Sequence, residues 1–236
     1  MLFAVVQDEL KPLNPSEVTD LYADVYGLNK IDARNIVLKR PRGILAFGLD
    51  NFQAERLSYG LRMLNYQCHK QAINSLHPMP DLMPVYSAYL YEDGIHFSNL
   101  LGESSKILWN HLQMIEVYRI HNKSVTISNR KKAKRIGKPS TVTVRKESIV
   151  DGYYLEIYSD SPYPRIQIDA SRFNYSAMGD SMSRDSMDNF LILISRIKEH
   201  ADKFKISFSD TSQKESFSSL KDFEAYSHWR LQSIDY

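Results

Sequence analysis

The tightest constraint in this 236-residue sequence is the tripeptide Glu92-Asp93-Gly94, set between the apolar runs 86–91 and 95–97. An Asp-Gly pair flanked by alternating hydrophobic residues is a strong hairpin signal, because glycine tolerates the positive φ that such a turn demands. A third apolar run, 107–120, follows a polar turn at 99–105, so the stretch from Pro84 to Ile120 reads as an antiparallel meander. Ile95 and Phe97 fall on one face with His96 on the other, and Ile107 and Trp109 repeat that alternation.

Further short segments rich in β-branched or aromatic residues follow at 124–128, 141–145, 153–158 and 165–168. Asp151-Gly152, Ser161-Pro162 and Pro164 read as turns between them. Met187, Phe190, Leu191, Ile194 and Ile197 then recur at three and four residues, which predicts an amphipathic helix over 186–204. About seven strands closed by one helix, with Tyr91-Glu92-Asp93-Gly94-Ile95 and Ile107-Leu108-Trp109-Asn110-His111-Leu112 followed by Ile115, resemble bacterial members of the pleckstrin-homology superfold over 84–204. The resemblance implies a bent antiparallel β-barrel plugged by its C-terminal helix, and a surface that binds phosphoinositides, peptides or partner proteins.

The first seventy residues have a different rhythm. An opening strand at 2–6 is followed by Asn14-Pro15-Ser16-Glu17, in which Asn14 caps a helix, Pro15 occupies its first position and Glu17 completes a capping box. Val18, Leu21, Tyr22 and Val25 continue at helical spacing up to Gly27. A second helix fits 31–38 before Pro41, a strand fits 43–49, and Asp50 with Gln53 opens a third helix bearing Ala54, Leu57, Leu61 and Leu64. A strand at 66–70 closes the unit. Tyr26-Gly27-Leu28, Ala33-Arg34-Asn35-Ile36-Val37, Gly48-Leu49 and Gln53-Ala54-Glu55 in this order resemble the C-terminal domain of the bacterial ribosomal stalk protein over 16–70. That family meets translation factors through basic residues on the helix equivalent to 16–26. Here that helix offers Glu17, Asp20 and Asp24 and no Lys or Arg, so the resemblance implies the small α/β fold without the stalk activity.

Pro78 and Pro80 mark a connector over 71–83, which divides an α/β domain at 1–70 from a second domain at 84–204. The expected class is therefore α+β. Residues 205–236 form a polar tail that nevertheless carries Phe223, Tyr226, Trp229 and Leu231; either a short helix over 220–231 docks on a domain or the segment is a partner-binding peptide. The single cysteine, Cys68, makes no internal disulfide, and the opening Met1-Leu2-Phe3-Ala4-Val5-Val6 lacks the basic lead and length of a signal peptide, which together point to the cytoplasm.

Charge is nearly balanced, 30 basic against 28 acidic residues, so attraction to an anion must come from local clustering. The conspicuous cluster is Arg130, Lys131, Lys132, Lys134, Arg135 and Lys138, followed by Arg145 and Lys146. On a hairpin tip these groups would grip the phosphates of a lipid headgroup or RNA, or meet an acidic protein; as a solvated loop they would only protect a sheet edge. Nucleic acid is disfavoured, because no aromatic residue for base stacking lies between Ser124 and Ile149.

No other motif specifies chemistry. Cys68 and His69 are strand neighbours pointing to opposite faces, the remaining histidines lack ligand spacing, and the nine glycines form no phosphate-binding fingerprint. Asp93, Glu103, Glu116 and Asp169 read as acidic residues near strand ends, where a hydrolase could use paired carboxylates but where turns also favour Asp and Glu without any chemistry. Phe173-Asn174-Tyr175-Ser176 reads as a capping loop packed beneath the last helix, or as the mouth of a binding site. The expectation is a non-catalytic, two-domain adaptor with no cofactor or metal, binding a protein or an anionic partner. The alternative is an enzyme or small-ligand-binding protein with its site in the interdomain cleft.

Overall fold

The computed structural model describes residues 1–132, 140–160, 164–214 and 216–234, with 122–132 and 140–149 described as backbone. In chain order its first part comprises β1 (Phe3–Gln7), α1 (Pro15–Tyr26), α2 (Lys30–Lys39), β2 (Ile44–Leu49), α3 (Asn51–Met63) and β3 (Cys68–Ala72). β1 is the middle strand of an antiparallel sheet of order β2-β1-β3. Period-two alternation gives this sheet two apolar faces. Val5, Leu45 and Leu49 pack with Val18, Tyr22, Val37, Leu57 and Leu61 of the three helices, whereas Ala4, Val6 and Ile44 form a separate cluster with Trp229.

The helix ends show which local signals dominate. At α3 the capping box forms as the residues suggest: Gln53 N donates to Asp50 Oδ1 at 2.8 Å and Asp50 N to Gln53 Oε1 at 3.2 Å. At α1 the expected box does not close. Asn14 Oδ1 accepts from Ser16 N, but Asn14 N donates to the Tyr66 hydroxyl at 3.0 Å, and that hydroxyl donates to Glu17 Oε2 at 2.9 Å. A tyrosine 49 residues downstream has taken the glutamate that local geometry would have used.

The second part comprises β4 (Leu82–Val85), β5 (Ser87–Leu90), β6 (Gly94–Ser98), β7 (Ser104–Leu108), β8 (Leu112–Lys132), β9 (Ser140–Ser159), β10 (Arg165–Asp169), α4 (Ser186–Phe204), β11 (Ser207–Asp210) and α5 (Leu220–Gln232). These strands make a sheet of order β5-β6-β7 and another of order β11-β8-β9-β10-β4, with β4 parallel to β10 and β11 parallel to β8. The expected closed antiparallel barrel is thus replaced, among the described residues, by two open sheets. A 3-10 turn at Trp109–His111 separates β7 from β8, interrupting the apolar run 107–120. The chain changes sheets at that turn and also at Tyr86, where it leaves β4 in one sheet and enters β5 in the other.

Three further local expectations are corrected. Gly94 does not adopt positive φ; its missing side chain matters because a Cβ there would collide with the carbonyl oxygen of Ile107 on the neighbouring strand. Segments 124–128 and 141–145 are not separate strands but parts of β8 and β9, and Asp151-Gly152 lies inside β9, paired with His121 and Ile120. The Ser161-Pro162 turn lies outside the described residues. In α4, Leu191 is 44% exposed, and Leu193 takes its place beside Phe190, Ile194, Ile197 and Ala201 in the core between the sheets.

α5 occupies the space between the two parts. On one side Phe223 and Tyr226 pack with Tyr118, Ile120 and Phe217, and Leu231 packs with Met114 and Tyr158, all against the five-stranded sheet. On the other side Trp229 packs on Ala4, Val6 and Ile44, and its Nε1 donates to Gln7 O at 2.6 Å. A helix buried on both flanks needs close backbone approach at some point, and here Gly43 supplies it: at φ 75°, its absent Cβ would strike Ala225 O and come within 3.0 Å of Trp229 Cβ. Gly43→Ala is therefore predicted to destabilise the protein by about 2–4 kcal/mol through backbone strain and overpacking. Urea denaturation measures this, and a loss below about 0.5 kcal/mol, the range of an ordinary surface substitution, would contradict so close a contact.

Candidate functional site

The strands β8 and β9 run well beyond their neighbours. β11 pairs with β8 from Met114 to Val117 and β10 pairs with β9 from Tyr154 to Ile157, yet β8 and β9 remain paired with each other out to Lys132↔Ser140. From Asn122↔Val150 to that end the two strands are each other's only ladder partners among the described residues, an arm of roughly 35 Å at about 3.4 Å per residue. Arg130, Lys131 and Lys132 occupy its last register positions, opposite Val142, Thr141 and Ser140. Lys134, Arg135 and Lys138 lie outside the described residues. Residues 122–149 hold nine of the chain's 30 Lys and Arg and one of its 28 Asp and Glu, a net +8 that leaves −6 on the remainder. The near-neutral total conceals a strong separation of charge.

The other concentration of charge is internal. Glu116 on β8 and Glu156 on β9 are direct cross-strand partners, 2% and 0% exposed, on the sheet face that α5 covers. Glu156 accepts from the hydroxyls of Tyr118 at 2.7 Å and Tyr158 at 2.6 Å and from Gln167 Nε2 at 2.8 Å, with Arg165 Nη1 3.4 Å away. Glu116 Oε1 faces Arg230 Nη1 at 3.1 Å, and its Oε2 has no hydrogen-bond partner among the described residues. Arg165 Nη2 reaches Glu224 Oε1 at 3.1 Å, and Arg230 Nη2 donates to Ser207 Oγ at 3.0 Å. Three carboxylates thus share two guanidiniums, so uptake of one proton balances the set. Burial pushes the Glu116 carboxyl up to about 8, with Arg230 opposing the shift and Glu156 adding to it. Burial likewise raises Glu156.

A second ion pair secures the start of α5. Asp222, 1% exposed, accepts from Ser218 N at 3.0 Å while its own N donates to the Ser219 cap, and Arg42 Nε lies 3.3 Å from Asp222 Oδ1 with its guanidinium 4.8 Å from the Phe217 ring centroid. The seam is therefore filled by a helix and closed by ion pairs at several points. At its rim remains a groove of about 390 Å³, bordered by Arg40, Phe47, Ile73, residues 76–79 and His228.

Other residues singled out by type have local partners. The Cys68 thiol is buried and, for that reason, pushed up to about 11; His69 Nδ1 lies 2.5 Å from Asp8. Asp93 pairs with Lys106, Glu103 joins the Asn99 turn, and Asp169 Oδ1 accepts from Ser171 N. Asn174 caps a 3-10 segment, while Phe173 and Tyr175 are buried in the cluster that contains Phe190 and Leu193. Of the acidic residues singled out, Glu116 alone enters the buried cluster, at mid-strand rather than near a strand end. Its partners Glu156, Arg165 and Arg230 escaped sequence reasoning. The signal for them was the near-continuous apolar run around Glu116, which marks a strand covered on both faces. Comparison with protein-family models, curated proteins and solved structures finds no match.

The raised Glu116 sets a testable pH dependence. From its ordinary 4.5 to about 8, the unfolded chain has released this proton and the folded chain retains it. The carboxyl's contribution to stability is therefore full below about 4.5 and declines as pH rises toward 8. Glu116→Gln lacks that titration, so in denaturation at about pH 5, 7 and 9 its stability should improve relative to wild type as pH rises. A difference that stays constant across the range would contradict the assignment.

Proposed function

We propose that the protein is a non-catalytic interaction module, an adaptor whose basic β8–β9 arm engages an anionic partner. In this reading the two sheets and α4 form a pleckstrin-homology-like body without barrel closure, the first part is a ribosomal-stalk-like α/β unit used as scaffold, and α5 joins them. The observation that supports it best is the segregation of charge: +8 over 122–149 against −6 elsewhere, on a hairpin that extends past its sheet. A local field of that sign draws phosphate-bearing surfaces despite the small total charge, and the acidic remainder keeps the body itself from contributing. An anionic lipid surface fits better than single-stranded nucleic acid, since 122–149 contains no aromatic residue to stack on bases.

Sedimentation with vesicles tests this reading. Vesicles containing phosphatidylserine should retain the protein at low salt and release it as salt rises, and pure phosphatidylcholine vesicles should not bind it. At about 1 kcal/mol for each basic residue near the surface, replacing Lys131, Lys132, Lys134 and Arg135 together by Ala should weaken binding by about a thousandfold. Binding indifferent to salt or to these substitutions, or duplex DNA bound where vesicles are not, would overturn the lipid assignment.

A further inference from the structure

The groove at the rim of the seam is a different kind of surface from the arm. Phe47, Ile73, Leu76, Pro78 and Met79 give it apolar walls, and Phe47 is 45% exposed although its strand neighbours Ile44, Leu45 and Ala46 are buried. Its volume of about 390 Å³ lies in the range of small-molecule sites. One wall is fixed in advance: His228 Nε2 donates to His77 O at 2.8 Å, Gln232 Nε2 donates to the same oxygen at 3.2 Å, and His77 N donates to Gln232 Oε1 at 2.8 Å. The groove therefore requires the first part of the chain, the connector and α5 together.

Its polar groups are Arg40, His77 and His228, and among the described residues no acidic one lines it. Among the described residues no carboxylate pairs with Arg40. Burial holds His228 below its ordinary value, the His77 carbonyl opposes this, and Arg40, Arg165 and His77 push it lower still. With the His228 imidazole held toward its neutral form, the fixed positive charge in the described lining of this apolar groove is the Arg40 guanidinium. One charge suits a monoanion, and the apolar walls suit a hydrocarbon body rather than a polyphosphate.

We infer that this groove binds a small monocarboxylate with an apolar body, its carboxylate on Arg40 and its hydrocarbon part against Phe47, Leu76 and Met79. The site is independent of the basic arm and does not require the protein to bind a membrane.

The probe is 4-phenylbutyrate, added to the full chain and followed by calorimetry and by the His228 imidazole signals in NMR. Saturable binding with a raised His228 pKa is expected, because a carboxylate offsets the Arg40 charge that adds to the lowering by burial. The uncharged 4-phenylbutan-1-ol and the Arg40→Gln protein should each bind about ten- to a hundredfold more weakly, and acetate and inorganic phosphate should not saturate the site. Phe47→Ala removes a half-exposed ring, and should weaken phenylbutyrate binding with the melting temperature unchanged. An unperturbed His228, equal binding of the alcohol, equal binding by Arg40→Gln, or saturation by phosphate alone would each overturn the inference.

Discussion

α5 lies between two sheets that each need a second face covered. β1 and β2 present Ala4, Val6 and Ile44 away from their own helices, and β8 and β9 present Met114, Tyr118 and Tyr158 away from α4. Neither face suits water, and one helix with apolar groups on both flanks satisfies both. The arrangement also forces ionisable groups into the seam. Replacing such ion pairs by packed hydrocarbon is often neutral or stabilising, whereas removing one member leaves an uncompensated buried charge. The pairs Arg42–Asp222, Arg165–Glu224 and Arg230–Glu116 each join α5 to a different strand or loop, so together they define where the helix can sit. The missing side chain at Gly43 sets how closely it sits.

What was legible in the sequence depended on whether the deciding forces were local. α1, α2 and α3 lie within one or two residues of the spans read from caps and periodicity, because capping residues and apolar stripes act over a turn or two. α5 was legible from its aromatic residues, which a solvated segment seldom carries. Long-range matters were not. The continuity of β8 through Ser124, Thr126 and Ser128 is set by its register with β9, and neither strand's own composition announces it. Asp151-Gly152 has the composition of a turn, yet cross-strand pairing holds it extended. The Glu116–Glu156 pair was invisible because adjacency across a ladder of that register cannot be read from either strand alone.

Charge is sorted in the same manner. Buried carboxylates and guanidiniums meet inside the seam, whereas the stretch 122–149, in whose described residues β8 and β9 run past the rest of their sheet, carries a net +8 in sequence. The body joined by a shared helix and the arm with a strong local field are separate stretches of chain. Among the described residues no helix is long and apolar enough to cross a membrane.

The central claim is that α5 makes the two parts one cooperative unit. The chain has two tryptophans, Trp109 in the core between the sheets and Trp229 in the seam, so Trp109→Phe and Trp229→Phe each leave a single reporter. Fluorescence-monitored urea unfolding of the two variants, each compared with its own circular-dichroism curve, should give one transition per protein with coincident probes. A Trp229 signal that changes at clearly lower urea than the loss of secondary structure in the same protein would mean that the seam opens on its own, and would contradict the account.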